Sequence, residues 1–543
     1  MGAARGYVLG LSVWILGVGC HHLPRESATD QFASASGAGL FAAGRGGSEG
    51  AARTIHFAEA ARSPDARTTG PIKPRTFEEY REPRRQAPPP SPARSRTAFS
   101  ATPPATALPL RFDHCGVVAV PCPFDGVVQD TCSSCTNPPP DPNAAAGAGR
   151  IVQVVNDLIQ VTDRIGAVQC GGPVTLNRLL RTSDSLTDPR VQFDNINQRF
   201  SLAVTVSSVN SGDTPALWLA ATQSDDPCGT WFTYRMTFHG DATPLGTFLD
   251  FPMLAQDTRS LLLSTRNCLP NKGCQKFIVF TIPKARIYAA EHVDFPYFNV
   301  DSLTAPVTHA GQPMIESPVS FFLAAVPDMG YKLYVLVPLP FGTVLASGSL
   351  SSPFSKPSRG ARQPGSSVLV DTSDGNITSS PYFDGTRIWF THVVDEETFP
   401  TVRYGAINLR DATISIAEAS HSPWSDDFNP SLAVGFSPLR ETVYLTWAST
   451  DAVVAKTATS AVAIAVDAAQ PLKNLFGVGT VYATGGNAIS SSSTVRFGDF
   501  SSVSVDPTTS DCAFATQQYF GANGSWRTRI APIGECGRVV IQP

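Results

Sequence analysis

A short phrase recurs down most of this chain: a proline, an apolar residue two places on, and about ten residues later a strand-like run. Pro189-Arg190-Val191 leads to FSLAV, Pro252-Met253-Leu254 to LLLST, and Pro313-Met314-Ile315 to FFLAAV. Pro381-Tyr382-Phe383 leads to IWFTHV and Pro430-Ser431-Leu432 to VYLTWA, with a degenerate copy, Asp499-Phe500-Ser501, before CAFATQ. The proline-to-proline steps are 63, 61, 68 and 49 residues. Repeats of this length built from short strands are the signature of β-propeller blades, four-stranded sheets set around a central channel. Upstream, IVQVV and LIQVT flank Asn156-Asp157, a two-residue hairpin signal, and read as an opening blade. Blades beginning near Asp141, Asp188, Asp250, Gln312, Ser380, Asn429 and Asp499 make an all-β, seven-bladed propeller over 138–543. The modestly helix-like patch is confined to Thr175–Leu180.

The first 111 residues have a different character. MGAARGYVLGLSVWILGVGC has a basic start at Arg5, an apolar run from Tyr7 to Val18, and small residues before Cys20. It reads as a secretory signal over 1–20, too short for a membrane span. Its end is similar to a bacterial lipobox, although Gly17 stands where the strongest examples have Leu. The similarity implies lipidation at Cys20, and His21 after it implies outer-membrane rather than inner-membrane retention. Residues 21–111 are rich in Ala, Gly, Ser, Pro and Arg and poor in branched and aromatic residues, the composition of a disordered, semi-rigid tether. That segment has 13 Lys and Arg against 8 Asp and Glu; with Arg5 before it and −4 on the whole chain, residues 112–543 carry −10. An acidic body argues against a nucleic-acid partner, because phosphate wants a basic face.

Eleven cysteines are present, and setting Cys20 aside leaves an even ten. In an exported chain this reads as a disulfide set, with Cys512–Cys536 and Cys268–Cys274 as close pairs and Cys170 and Cys228 left over. Cys115, Cys122, Cys132 and Cys135 form a cysteine-rich extension within 112–137 and read as disulfides; four thiolates at this spacing could instead hold zinc.

Ser224, Asp226, Thr230 and Trp231 stand at the positions of the Asp-box of sialidase-like propellers, with Cys228 in place of its glycine. That resemblance covers one blade and implies a structural turn, not catalysis. More widely, the chain resembles exported bacterial propellers of largely unassigned function. The matching residues are Asp141, Asn143, Gly147 and Asn156, then Asp188, Val191, Phe193 and Asp194, and finally Arg496, Gly498, Asp499, Phe500 and Ser501. The resemblance implies the fold and brings no established activity.

In a propeller the start of each inner strand faces the axis, so Asp188, Arg190, Asp250, Asn429, Arg496 and Asp499 are the channel-face binding candidates. The plainer reading is that Arg496 and Asp499 pair to hold the closing blade, as buried charges must. No catalytic residue is assigned. The arginine-bearing opening of sialidases, nucleophile elbows, zinc helices and phosphate loops are absent from the sequence, and the histidines form no ligand cluster outside His21-His22. No cofactor or metal site is expected, although Asp and Asn at blade tops leave room for a structural calcium. The reading is a monomeric, lipid-anchored binding module for a glycan, peptide or partner protein at the outer membrane, cell surface or periplasm. A hydrolase of extracellular glycosides is the alternative, and a structural envelope component the second. The residues lining the channel discriminate among them.

Overall fold

The structure is a computed structural model. It describes residues 43–48, 52–62, 107–108, 122–129 and 138–536, apart from short internal segments at 157, 208–211, 242, 271, 312–313, 340–341, 374, 437–439, 454–456, 487–494 and 522–523. The signal segment with Cys20, and Cys115, Cys132 and Cys135, lie outside the described residues.

From residue 143 onward the chain forms one antiparallel meander after another, as the repeat predicts. The first comprises Asn143–Ala146, Ile151–Val155, Leu158–Thr162 and Val174–Thr175; the next comprises Leu186–Asp194, Arg199–Val206, Ala216–Thr222 and Thr230–His239. Phe248–Gln256, Ser260–Leu269, Gly273–Pro283 and Asp294–Val300 follow, then Ala305–Pro306, Ser320–Val326, Gly330–Leu339 and Gly342–Ser351. Tyr382–Phe383, Arg387–Glu396, Phe399–Asn408 and Thr413–Ser420 make the following sheet, and Asp426–Phe436, Glu441–Asp451 and Thr457–Asp467 the core of the one after. The last sheet joins Ser502–Val505, Cys512–Phe520 and Trp526–Gly534 to Phe124–Val128, which comes from the start of the body. The first strands of successive sheets lie side by side, except that Thr308–His309 stands between Ala305–Pro306 and Tyr382–Phe383, and Ser502–Val505 returns to Asn143–Ala146, so the ring closes. The architecture is β-propeller-like.

The core lies between neighbouring sheets, where the alternating apolar residues of facing surfaces interdigitate. Trp231, Trp389 and Trp447 are fully buried there. Buried indoles need acceptors: Trp389 Nε1 donates to Asp384 Oδ2 at 2.7 Å and Trp447 Nε1 to Asp427 Oδ1 at 2.9 Å. The helix-like patch is a short helix, Leu176–Leu180, capped by Thr175.

At Pro189, Pro252 and Pro430 the recurring proline marks a bulge. Asp188, Phe251 and Asn429, each immediately before proline, have φ of 59°, 55° and 51°, and the pairing of each inner strand slips at that point. Asp141, before Pro142, has φ 47°. The missing N–H of proline is harmless beside an unpaired residue. The expectation of a sheet starting near Gln312 is corrected: that sheet starts at Ala305–Pro306, and Thr308–His309 crosses to pair in parallel with Tyr382–Phe383.

The tether reading is corrected in part. Ala43–Ser48 is a strand wedged between Thr230–His239 and Asp294–Val300, which fuses two meanders into one ten-stranded sheet. Arg53–His56 pairs with the same Thr230–His239 strand, a short helix spans Phe57–Arg62, and Ala107–Leu108 pairs with Thr457–Asp467. Composition alone predicts no strand in AGRGGS. It forms because two outer edges already present their main-chain groups to it. Phe124–Val128 is likewise part of the last sheet and not of a separate extension.

Candidate functional site

Inner strands are edge strands, and the main-chain groups facing the next sheet need partners. Side chains supply them. Val191 N donates to Asn143 Oδ1 at 2.8 Å, Ala144 N to Ser502 Oγ at 2.8 Å and Ala146 N to Ser504 Oγ at 2.9 Å. Gln192 Nε2 donates to Ala255 O at 3.0 Å. Polar residues therefore occupy positions that the alternating pattern alone would leave apolar.

At the strand starts a relay of acids runs between sheets. Asp141 Oδ1 accepts the Asp499 N–H at 2.6 Å and Asp141 Oδ2 accepts Asn156 Nδ2 at 2.8 Å. Asn156 Oδ1 accepts the Asp188 N–H at 2.8 Å, and Asp188 Oδ2 accepts the Phe251 N–H at 3.2 Å. Arg496 pairs with Asp499 at 2.6 Å. Burial, reinforced by the Asp499 charge, pushes Asp141 up to about 7. Burial followed by the charges of Asp250, Asp141 and Asp499 raises Asp188 well above the ordinary carboxylate range. Burial alone would lower Arg496, but Asp499 and Asp141 hold it above its usual value.

Arg190 crosses this region. Its guanidinium carbon lies 3.3 Å from the centre of the Phe500 ring, its Nε donates to Pro252 O at 3.0 Å and its Nη2 to Thr378 O at 2.9 Å. Burial pulls it down to about 9, against the charges of Asp188, Asp141 and Asp499, so it remains a cation at neutral pH. Phe251 and Phe500 pack with ring centres 4.6 Å apart.

The axial void holds about 960 Å³ counting its open mouth, and its wall is built from the inner strands of every meander but the one that starts at Ala305–Pro306, in whose place Thr308–His309 contributes. Among the expected channel-face residues, Arg190 alone lines it. Asp188, Asn429, Arg496 and Asp499 sit at the strand starts; Asn429 exchanges hydrogen bonds with Gln517 and Phe500 O. Asp250 turns to Arg266 at 2.7 Å on the adjacent strand. The polar part of the wall is instead made of hydroxyls and amides, among them Ser379, Ser431, Ser502, Gln192, Gln256 and Asn195, with His309 and Tyr382, and the rest is apolar, with Leu254, Leu432, Phe193 and Phe436. Among the described residues no carboxylate lines it. Single polar residues scattered through strand-like runs gave no motif by which the sequence could announce them.

Asp250 also approaches Cys268 and Cys274, but those two form a disulfide and are not free thiolates for a metal. Cys512–Cys536 is the expected bridge, the leftover Cys170 and Cys228 are joined to each other, and Cys122 is disulfide-bonded. In the Ser224–Trp231 turn, Asp226 Oδ1 accepts the Cys228 N–H at 3.0 Å and Trp231 Nε1 donates to Pro227 O at 2.9 Å, with Trp231 fully buried. Among the described residues no helix is long and apolar enough to cross a membrane.

No protein-family profile and no curated protein matches the chain. Among solved structures it is similar to the Trypanosoma rangeli sialidase in complex with the inhibitor DANA, at 11% identity over 67% of this chain and 56% of that one, with a TM-score of 0.35. It is also similar to exo-β-1,3-galactanases from Phanerochaete chrysosporium (13% identity, 60% and 80% covered, TM-score 0.27) and Clostridium thermocellum (9%, 64% and 86%, 0.29). The chain spans little more than half the length of the sialidase. Likeness at this level carries no argument about activity or residues.

Proposed function

We propose that the chain is an exported, seven-bladed propeller that binds a glycan in its axial channel without cleaving it. The observation that carries this reading is the chemistry of the wall: hydroxyls, amides and one guanidinium set among aliphatic and aromatic side chains, with no carboxylate among the described lining residues. Sugars are held by such groups and by aromatic faces. A glycosidase needs two carboxyl groups about 5 to 9.5 Å apart flanking the scissile bond. Here Asp141, Asp188 and Asp499 are engaged by main-chain amides, Asn156 and Arg496. Arg190, at the end of the void nearest the strand starts, is the binding candidate retained from the sequence. The closed order of inner strands supports the count of seven, and the disulfides support an oxidising compartment. The lipobox-like end at Cys20 supports a lipid anchor.

The test is a glycan array and a panel of chromogenic glycosides, applied to the secreted protein made soluble by Cys20→Ser. Binding without turnover is expected. Steady hydrolysis that disappears in Asp188→Asn or Asp499→Asn would replace binding by catalysis, and silence on every glycan would leave the reading without its ligand class.

A further inference from the structure

Three side chains on the channel wall use their donors internally and keep an acceptor without a partner. Gln256 Nε2 donates to Phe193 O at 2.7 Å, Asn195 Nδ2 donates to Gly311 O at 2.8 Å, and His309 Nδ1 lies 2.9 Å from Ile315 O. A carbonyl only accepts, so the proton of neutral His309 sits on Nδ1 and its Nε2 is a bare lone pair. Burial pulls His309 below its usual value and keeps it neutral. Gln256 Oε1, Asn195 Oδ1 and His309 Nε2 are all buried without a hydrogen-bond partner, as is the Ser379 hydroxyl. His309, Gln256 and Ser379 are 2%, 4% and 6% exposed, and all four residues line the void. They form one neighbourhood, because Phe193 and Gly311, the internal acceptors, stand two residues from Asn195 and His309. Buried acceptors left unmade are costly, and so many on one wall point to an occupant that brings donors.

We propose that this wall reads hydrogen-bond donors: it accepts the hydroxyl groups of a neutral sugar and turns away acidic sugars. The proposal rests on the glycan-binding reading. A carboxylate here would face acceptor lone pairs, and the one cation on the wall, Arg190, is already spent on Pro252 O, Thr378 O and the Phe500 face. A desolvated ammonium would need a counter-ion, yet the nearby acids are committed. Asp194 pairs with Lys284 at 2.7 Å, and Asp257 accepts from the Ser320 hydroxyl at 2.6 Å and from the Arg259 and Ser260 amides. An uncharged hydroxyl meets the acceptors with no charge to neutralise.

The test titrates the Cys20→Ser protein calorimetrically with cellotetraose, mannotetraose, maltotetraose and tetragalacturonate. His309→Asn keeps an amide donor for Ile315 O and deletes the Nε2 acceptor. Ser379→Ala removes a hydroxyl that makes no internal bond, and gives the same readout if the first variant fails to fold. At least one neutral tetraose should bind, tetragalacturonate should bind roughly tenfold or more weakly, and each variant should weaken the neutral sugar roughly tenfold with an unchanged Tm. Equal affinity for tetragalacturonate, or variants that fold and bind as well as the parent, would overturn donor reading while leaving glycan binding standing. Failure of all neutral tetraoses, together with a silent array, would overturn both.

Discussion

Asp141 carries more of the axial construction than its place before a proline suggests. It accepts one hydrogen bond from the Asp499 main chain and one from the Asn156 amide, and so ties the closing sheet to the opening one. Its pKa is raised from 3.8 to about 7, chiefly by burial, so the fold favours the protonated form. The stabilisation is fully present below about pH 4 and is lost as pH rises through about 7. Asp188, raised in the same direction, adds to it. Asp426 acts with the opposite sign: Arg359 and Arg362 overcome its burial and hold it below the usual range, so its contribution is lost on acidification. Asp141→Asn turns one amide N–H toward a donor, and should cost about 1–3 kcal/mol. It should also flatten the fall in Tm between pH 5 and pH 8. Scanning calorimetry on both proteins across that range checks this, and an unchanged slope would mean that Asp141 does not titrate there. The sequence pointed to the strand starts through Asp188, Asn429 and Asp499, but the left-handed backbone before Pro142, Pro189, Pro252 and Pro430 is invisible to propensity. Phe251 shows why: a bulky residue at φ 55° is chosen by its neighbours, Phe500 and the Asp188 carboxylate, not by its own preference.

Among the elements, the Ala43–Ser48 strand departs most from its sequence. It has no β-branched residue, and its glycines are what let it fit. A Cβ on Gly44 would lie 2.0 Å from the Tyr297 ring, and one on Gly46 would lie 2.5 Å from the Phe295 ring. Phe57, fully buried at the start of the following helix, anchors the same segment. Gly44→Val should therefore lower Tm measurably. Removal of residues 21–62 should expose the edges of Thr230–His239 and Asp294–Val300 and promote association, read by thermal melting and size-exclusion chromatography. A shortened chain that melts and elutes as the parent does would restore the tether reading for this segment. The terminal hairpin was legible: Cys512 and Cys536 are 24 residues apart and bridge the strand pair that ends the ring. Constraining that loop in the unfolded chain should contribute about 3 kcal/mol. Replacing both cysteines by serine should lower the urea midpoint accordingly, with non-reduced peptide mapping to verify the bridge in the parent.

For the whole molecule, the repeat spacing foretold a ring of short-stranded sheets because each copy leads into the same kind of buried strand, and the copies at Pro189, Pro252 and Pro430 share a bulge as well. It placed one sheet start too late, at Gln312 instead of Ala305, where the inner strand is two residues long and the chain crosses at once to the next sheet. The acidic net charge pointed away from nucleic acid, but charge says nothing of where the acids sit. Among the described residues none of them lines the axial void, whose wall mixes amides and hydroxyls with apolar side chains, and the binding proposed above rests on that arrangement. The most direct test is a crystal structure of the protein grown with its tightest-binding neutral oligosaccharide. An intact sugar is expected in the axial channel, with hydroxyls donating to His309 Nε2 and Gln256 Oε1. Cleaved product beside Asp188 or Asp499, or sugar bound away from an empty channel, would contradict it.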